Sequence, residues 1–108
     1  MLFVTTPLGT PIYIGDTQLV ALRVESDRSA AILGIQFGDG QRQIARVKVG
    51  DTFTSEIMEK QIGEHAIKLD EVPSMRKLNI GLSFPADVEI NRWQIHWGLA
   101  DNRNKRTA

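Results

Sequence analysis

Two histidines are the side chains in this sequence best suited to acid–base or metal chemistry at neutral pH. His65 follows Glu64 in a turn-like segment, and His96 lies between Ile95 and Trp97 in a predicted helix. Neither has a metal-ligand residue four positions away, and the chain contains no Cys. No nucleophile, phosphate-loop or zinc-protease motif is present. The sequence therefore predicts a protein that is not an enzyme and that holds neither a cofactor nor a metal.

Cationic side chains could instead contact an anionic partner. Arg46 and Lys48 alternate on one face of a predicted strand, and Arg92 follows a short apolar segment. The chain carries 13 Lys plus Arg and 13 Asp plus Glu, so its formal net charge is zero. This balance excludes a strongly basic nucleic-acid binder as a description of the whole chain, but it permits a local basic patch. Charge on one strand face is also typical of a solvated surface, so both interpretations stay open.

The elements that must position these residues are short. With 108 residues the chain is long enough for one domain. Alternating segments broken by Gly and Pro predict an all-β protein, a small sandwich or barrel. The predicted strands are Leu2–Thr6, Pro11–Gly15, Leu19–Val24, Ala30–Phe37, Gln43–Val49, Ala66–Val72, Leu78–Phe84 and Val88–Asn91.

Two segments have a different character. Thr52–Gln61 fits either a strand or a helix, because its apolar spacing is helical while its Thr residues favour a strand. Asn91 is placed to cap a short C-terminal helix over Arg92–Leu99. On that helix Trp93 and Trp97 would share one face, for core packing or for a dimer contact. A turn is expected at Pro73-Ser74.

The sequence also favours a soluble, cytoplasmic protein without membrane contact. No apolar run approaches the roughly 20 residues that span a bilayer. The first residues, Met1 to Val4, lack the charged region of a secretory signal.

A repeated pattern of apolar residue, glycine and turn divides the chain into two similar parts. Leu8–Ile12 and Val49–Phe53 share an apolar–Gly–polar–x–apolar order. An Ile-Gly pair with an acidic neighbour follows in each part. From Ile14 to Ile32, and again from Ile62 to Ile80, the gap is 18 residues.

Two stretches resemble the carbon storage regulator family, CsrA/RsmA. Met1–Asp16 (MLFVTTPLGTPIYIGD) is similar to the start of that family, which has an apolar strand, two arginines, an apolar-Gly-Glu turn and Ile-Gly-Asp. Ile80–Ile95 (IGLSFPADVEINRWQI) is similar to its other end, where a short strand closes on Arg before a helix. In the second stretch the Gly, Pro and Arg all fall at the family spacing.

This resemblance implies an RNA-binding regulator of translation that recognises GGA-containing loops in mRNA or small regulatory RNA. The family's binding surface joins the first strand of one subunit to the last strand of the other. Carried over by position, the last-strand arginine is Arg92 and the apolar residue two before it is Ile90. Lys48 matches the second first-strand arginine, with Arg46 on the same face. In the first copy the arginine pair is replaced by Thr6 and Pro7, which predicts one degenerate site, or none, in place of two intact sites.

The family forms an interlocked homodimer of chains about as long as one repeat. The repeat therefore predicts a fused, single-chain pseudo-dimer in one domain. Its first half would span 1–38 and contain strands only. Its second half would span 41–99, with an insert near 54–61, and 100–108 would form a flexible polar tail with Arg103, Lys105 and Arg106.

A rival interpretation belongs to another class. The loss of arginines at Thr6 and Pro7, the neutral charge and the insert favour a protein-interaction module that kept the fold and lost the RNA site. Such a module would bind another protein or a second copy of itself. A positive surface around Arg92 would favour RNA, whereas an apolar or acidic surface there would favour the interaction module.

Overall fold

Alternation of apolar and polar residues produces nine strands and one short helix in residues 1–92, the part of the chain that the computed structural model describes. The prediction of a mostly β protein is confirmed. The elements are β1 (Leu2–Pro7), β2 (Ile12–Ile14), β3 (Thr17–Val24), β4 (Ala30–Gln36), β5 (Arg42–Lys48), β6 (Thr52–Phe53), α1 (Glu56–Gln61), β7 (Ala66–Ser74), β8 (Lys77–Ser83) and β9 (Ile90–Arg92).

The strands form two antiparallel sheets. One has four strands in the order β1-β8-β7-β6, and the other has five in the order β5-β4-β3-β2-β9. Their inward residues meet in a single core, because alternation turns every second side chain of each strand inward. Ile14, Leu33, Ile67 and Ile80 are among the side chains that this core buries almost completely.

Each half of the chain contributes its first strand to the sheet that the other half builds. β5 pairs with β4 at one edge of the five-stranded sheet, and β1 pairs with β8 at the matching edge of the four-stranded sheet. β9 crosses over as well and pairs with β2. Within residues 1–92, no strand occupies the matching position beside β6.

The two sheets also repeat local details. Gly9 (φ +80°) and Gly50 (φ +87°) make the turn after the first strand of each half, in a backbone region that side chains disfavour. Their N–H groups donate to Ala21 O at 2.9 Å and to Leu69 O at 2.7 Å. A β-bulge follows each acceptor residue, before Arg23 and before Glu71. The same combination of a glycine turn and a β-bulge therefore occurs once in each half of the chain.

The register corrects one detail of the sequence repeat. Ala21 pairs with Leu33, twelve residues later, whereas Leu69 pairs with Ile80, eleven residues later. The second hairpin is thus one residue shorter, and Ile80 is the counterpart of Leu33, not of Ile32. The equal gaps of 18 residues in the sequence had matched Ile80 with Ile32, which is one position away from its structural counterpart.

Three local predictions need correction. The turn expected at Pro73-Ser74 is wrong, because β7 continues through Ser74 and the chain reverses at Met75-Arg76. The ambiguous segment Thr52–Gln61 contains both alternatives, since β6 is followed by helix α1. Arg92 ends strand β9 and does not begin a helix.

The remainder of the predicted C-terminal helix, with Trp93 and Trp97, and the tail 100–108 lie outside the described residues. Within residues 1–92 there is no helix of the length and apolarity needed to cross a bilayer.

Helix α1 is held in place by a buried hydrogen-bond chain. The Ser55 hydroxyl caps the helix by accepting from Met58 N–H at 3.2 Å, and it donates to Gln43 Oε1 at 2.6 Å. Ser55 N–H donates to His65 Nε2 at 3.0 Å. The His65 proton must then lie on Nδ1, where it meets Gly63 O at 2.9 Å. His65 is consequently a structural anchor between α1 and β7.

Candidate nucleic-acid interface

Strand β9 brings Ile90 and Arg92 to one edge of the five-stranded sheet. Ile90 pairs with Ile14 and Arg92 pairs with Ile12, while Gly15 N–H donates to Glu89 O at 2.9 Å. Half-buried Ile90 packs against the core and fixes the strand. The backbone of Arg92 is therefore anchored beside β2. The Gly9 turn connects β2 to the preceding strand, β1.

The first and last strands do not pair with each other. β1 is hydrogen-bonded to β8 in the four-stranded sheet, and β9 is bonded to β2 in the five-stranded sheet. Arg92 therefore has β2, and not β1, as its hydrogen-bonded neighbour. The chain passes from the four-stranded to the five-stranded sheet at the Gly9 turn. Strand β2, which follows this turn, therefore connects β1 in sequence with β9 in the sheet.

Thr6 and Pro7, which the sequence resemblance aligns with two arginines, differ in orientation. Thr6 is 4% exposed and faces the core, whereas Pro7 is exposed. The matching positions of the second half show the same alternation, with Val47 buried and Lys48 exposed. A long cationic side chain at position 6 would enter the core, and only position 7 points to solvent.

Arg46 and Lys48 lie at the opposite edge of the five-stranded sheet from β9. Both are exposed, because Ala45 and Val47 alternate with them and turn inward. The structure therefore separates the four predicted site residues into two groups, one on β5 and one on β9.

Arg46 already has an anionic partner that the sequence did not reveal. Its Nε and Nη2 donate to the two carboxylate oxygens of Glu25 at 2.5 and 2.8 Å. This bidentate hydrogen bond lowers the pKa of Glu25 and raises the pKa of Arg46. Glu25 is 21 residues away in sequence and meets Arg46 because Ile32 of β4, paired with Arg46, lies next to the end of β3.

The Glu25–Arg46 pair predicts acid-sensitive stability. Because the folded pKa of Glu25 is below its unfolded value, the stabilisation is complete above that unfolded value and is lost as the pH falls through the folded pKa. We expect Glu25→Gln to lower the melting temperature at pH 7. The difference in melting temperature between the variant and the unsubstituted chain should become smaller as the pH falls. Thermal unfolding from pH 7 to 3 measures this, with Arg46→Met as the partner variant. Parallel pH profiles of all three proteins would contradict the prediction.

A cleft of about 560 Å³ lies beside β9 and is acidic. The Gly15-Asp16 turn, the Gly38-Asp39 turn, the end of α1 and the segment before β9 form its walls. Hydrogen bonds from the backbone and side chain of Gln41 lower the pKa of Asp39, which keeps that group anionic. The cleft carboxylates are Asp16, Asp39, Asp87 and Glu89.

This cleft was not predicted, because its carboxylates come from three separate segments of the sequence. In residues 1–92, no set of three or more His, Cys, Asp or Glu side chains is arranged to hold a metal ion. The negative charge disfavours a polyanion next to β9.

The other surface that sequence analysis missed is the outward face of β3, β4 and β5. Leu22 is 50% exposed and Ile44 is 71% exposed, and half-buried Val20 lies on the same face. With Arg42 they line a shallow groove of about 390 Å³. The outward alternation of Arg42, Ile44, Arg46 and Lys48 was the signal that could have located it.

No protein-family model, curated protein or solved structure matches this chain. A functional assignment therefore depends on the geometry of the chain's own residues.

Proposed function

We propose that this chain is a fused, single-chain pseudo-dimer of the CsrA type that binds RNA and regulates translation in the cytoplasm. The observation that carries the proposal is the exchange of strands between the halves, in which β1 pairs with β8 and β9 pairs with β2. The CsrA family has an interlocked dimer in which strands of one subunit pair with those of the other. The repeated Gly turn and β-bulge support the same relation.

The RNA site lies at the β9–β2 edge. Arg92 supplies a cation for a phosphate or an exposed base, and Ile90 shapes the adjoining surface. Only one such edge exists within residues 1–92, since β6 has no strand corresponding to β9. Arg46 and Lys48, on the far edge, are candidates for a separate phosphate contact.

Affinity at this site is expected to be modest. Three of the 13 cations and one of the 13 anions follow residue 92, so residues 1–92 carry a net charge of −2. The acidic cleft adjoins β9, and Thr6 and Pro7 provide no cation. Because each phosphate contact contributes to the salt dependence, a site with few contacts responds weakly to salt.

Titration into a labelled hairpin with GGA in its loop tests the proposal, beside a hairpin with a scrambled loop and at two salt concentrations. We expect selective binding of the GGA loop. Arg92→Ala should raise the Kd by about 5- to 150-fold, equivalent to about 1–3 kcal/mol. Arg76→Ala, in the exposed turn between β7 and β8, is the matched control and should leave the Kd unchanged. An unaltered Kd for Arg92→Ala would refute the assignment.

A protein-interaction module is the second candidate function. The acidic cleft beside β9 and the exposed apolar residues Leu22 and Ile44 favour it. Contiguous exposed apolar surface marks interaction sites on soluble proteins. Equal or absent binding to both hairpins would favour this candidate over the RNA regulator.

A further inference from the structure

The outward face of β3, β4 and β5, which we term the outer β3–β5 face, combines an apolar centre with cationic ends. Its centre consists of Val20, Leu22 and Ile44, and its ends carry Arg42 and Arg23. This face lies across the sheet from β9 and Arg92, although its own Arg46 and Lys48 are the candidates for a separate phosphate contact.

The apolar centre is produced by a glycine and a bulge. Gly34 lies between Val20 and Ile44 in the cross-strand row. A Cβ at Gly34 would approach Leu22 Cδ1 to 3.0 Å, so Leu22 lies across the space that a side chain would fill. The bulge between Ala21 and Arg23 leaves both Leu22 and Arg23 exposed. The result is a shallow groove in which Leu22 covers Gly34 between Val20 and Ile44.

The charge of this face is opposite to that of the rest of the described chain. This face carries Arg23, Arg42, Arg46 and Lys48, and its one ion pair joins Arg46 to Glu25, whereas residues 1–92 together are net negative. Neither Arg42 nor Arg23 has an ion-pair partner within 4.0 Å in residues 1–92. These two cations are available to a partner, whereas Arg46 is held by Glu25.

We propose that the outer β3–β5 face binds an amphipathic helix of a partner protein, with apolar residues at the helix centre and carboxylates near both ends. Three strands spaced about 4.8 Å apart span about 10 Å, which is the diameter of a helix. Arg42 and Arg46 are four residues apart on β5, or about 13 Å. Arg23 lies level with Arg46, because both pair with Ile32 of β4. A helix of about nine residues covers that length.

Aliphatic composition distinguishes this occupant from RNA. Single-stranded bases stack on aromatic rings or guanidinium planes, and the guanidinium groups of this face lie at its ends and not at its centre. The outward positions of β3–β5 contain no aromatic side chain, and their most exposed large apolar residue is Ile44. Leucine-type side chains of a helix fit the groove, and its carboxylates fit Arg42 and Arg23.

Three synthetic peptides of about 14 residues test the proposal against the full-length, isotope-labelled protein. The first has leucines on one helical face and glutamates at both ends. The second has the same composition with the leucines distributed around the helix, and the third has lysine in place of glutamate. We expect the first to bind at least tenfold more tightly than the others and to shift the amide signals of Val20, Leu22 and Ile44.

Substitutions then locate the site. Ile44→Ser should weaken binding of the first peptide about tenfold, and Arg42→Ser about threefold with a reduced salt dependence. Met75→Ser, an exposed apolar residue at the β7–β8 turn, is the matched control and should bind normally. Arg92→Ala should also bind the peptide normally, which separates this site from the RNA site. Unchanged melting temperatures verify that each variant is folded.

Several outcomes would overturn the proposal. Equal binding of all three peptides, or signal changes confined to other surfaces, would exclude an acidic amphipathic helix as the occupant. Displacement of the first peptide by the GGA hairpin, with the same amides shifted, would assign the face to RNA. Self-association that Ile44→Ser abolishes would assign it to a second copy of this chain.

Discussion

Replacing Phe37 with alanine is expected to lower the free energy of unfolding by about 3–5 kcal/mol. Phe37 is 2% exposed and lies where β4 leaves the five-stranded sheet. Its N–H donates to Gln41 O at 2.8 Å, which closes the tight connection into β5, and its ring lies in the hydrophobic core. Removal leaves a cavity at the point where the first half joins the second. Urea denaturation measures the loss, which is a large fraction of a typical domain's stability.

Phe3→Ala is the matched control for Phe37→Ala. Phe3 is 55% exposed on β1, so its truncation removes little buried surface. We expect a change below about 1 kcal/mol. Similar losses in both variants would contradict the position assigned to Phe37 in the core.

Thr6→Arg is the second substitution with a large expected effect, a loss of about 3–5 kcal/mol of unfolding free energy. By the sequence resemblance, it places arginine where the CsrA family has one. In the fold, however, Thr6 is 4% exposed and faces the core, so the guanidinium would be buried without a carboxylate partner. Urea denaturation gives the stability, and the hairpin titration shows whether any RNA affinity is gained.

Pro7→Arg is the informative counterpart. Pro7 is exposed, and its counterpart Lys48 already carries a cation at this strand position. We expect a stability change within about 1 kcal/mol and a lower Kd for the GGA hairpin with a steeper salt dependence. A stable Thr6→Arg protein with improved RNA affinity, combined with an inactive Pro7→Arg protein, would reverse the assignment of these two positions.

The sequence predicted the strands well because their signal is local. Alternation and Gly or Pro breaks located segments close to β1, β3, β4, β5, β7 and β8. The shared turn pattern at Gly9 and Gly50 was also visible, since it depends on a backbone conformation that few other residues adopt. Helix α1 was ambiguous because six residues give too few turns for periodicity to decide.

The properties of the site depended on contacts that sequence spacing does not encode. Glu25 meets Arg46 only after β3, β4 and β5 pair. Thr6 and Pro7 are neighbours in sequence, yet strand alternation buries one and exposes the other. The acidic cleft joins carboxylates as distant as Asp16 and Glu89. Residue types suggested a function, whereas pairing determined which side chains are available for it.

The exchange of strands between the halves also bears on synthesis of the protein. Leu2 of β1 pairs with Leu82 of β8, so β1 is translated long before its partner strand exists. At about 5–20 residues per second, the ribosome needs several seconds to add the intervening residues. During that interval the apolar side chains of β1 have no sheet to join, which exposes the nascent chain to misfolding. Completion of the four-stranded sheet therefore waits for a delay that is set by the rate of translation.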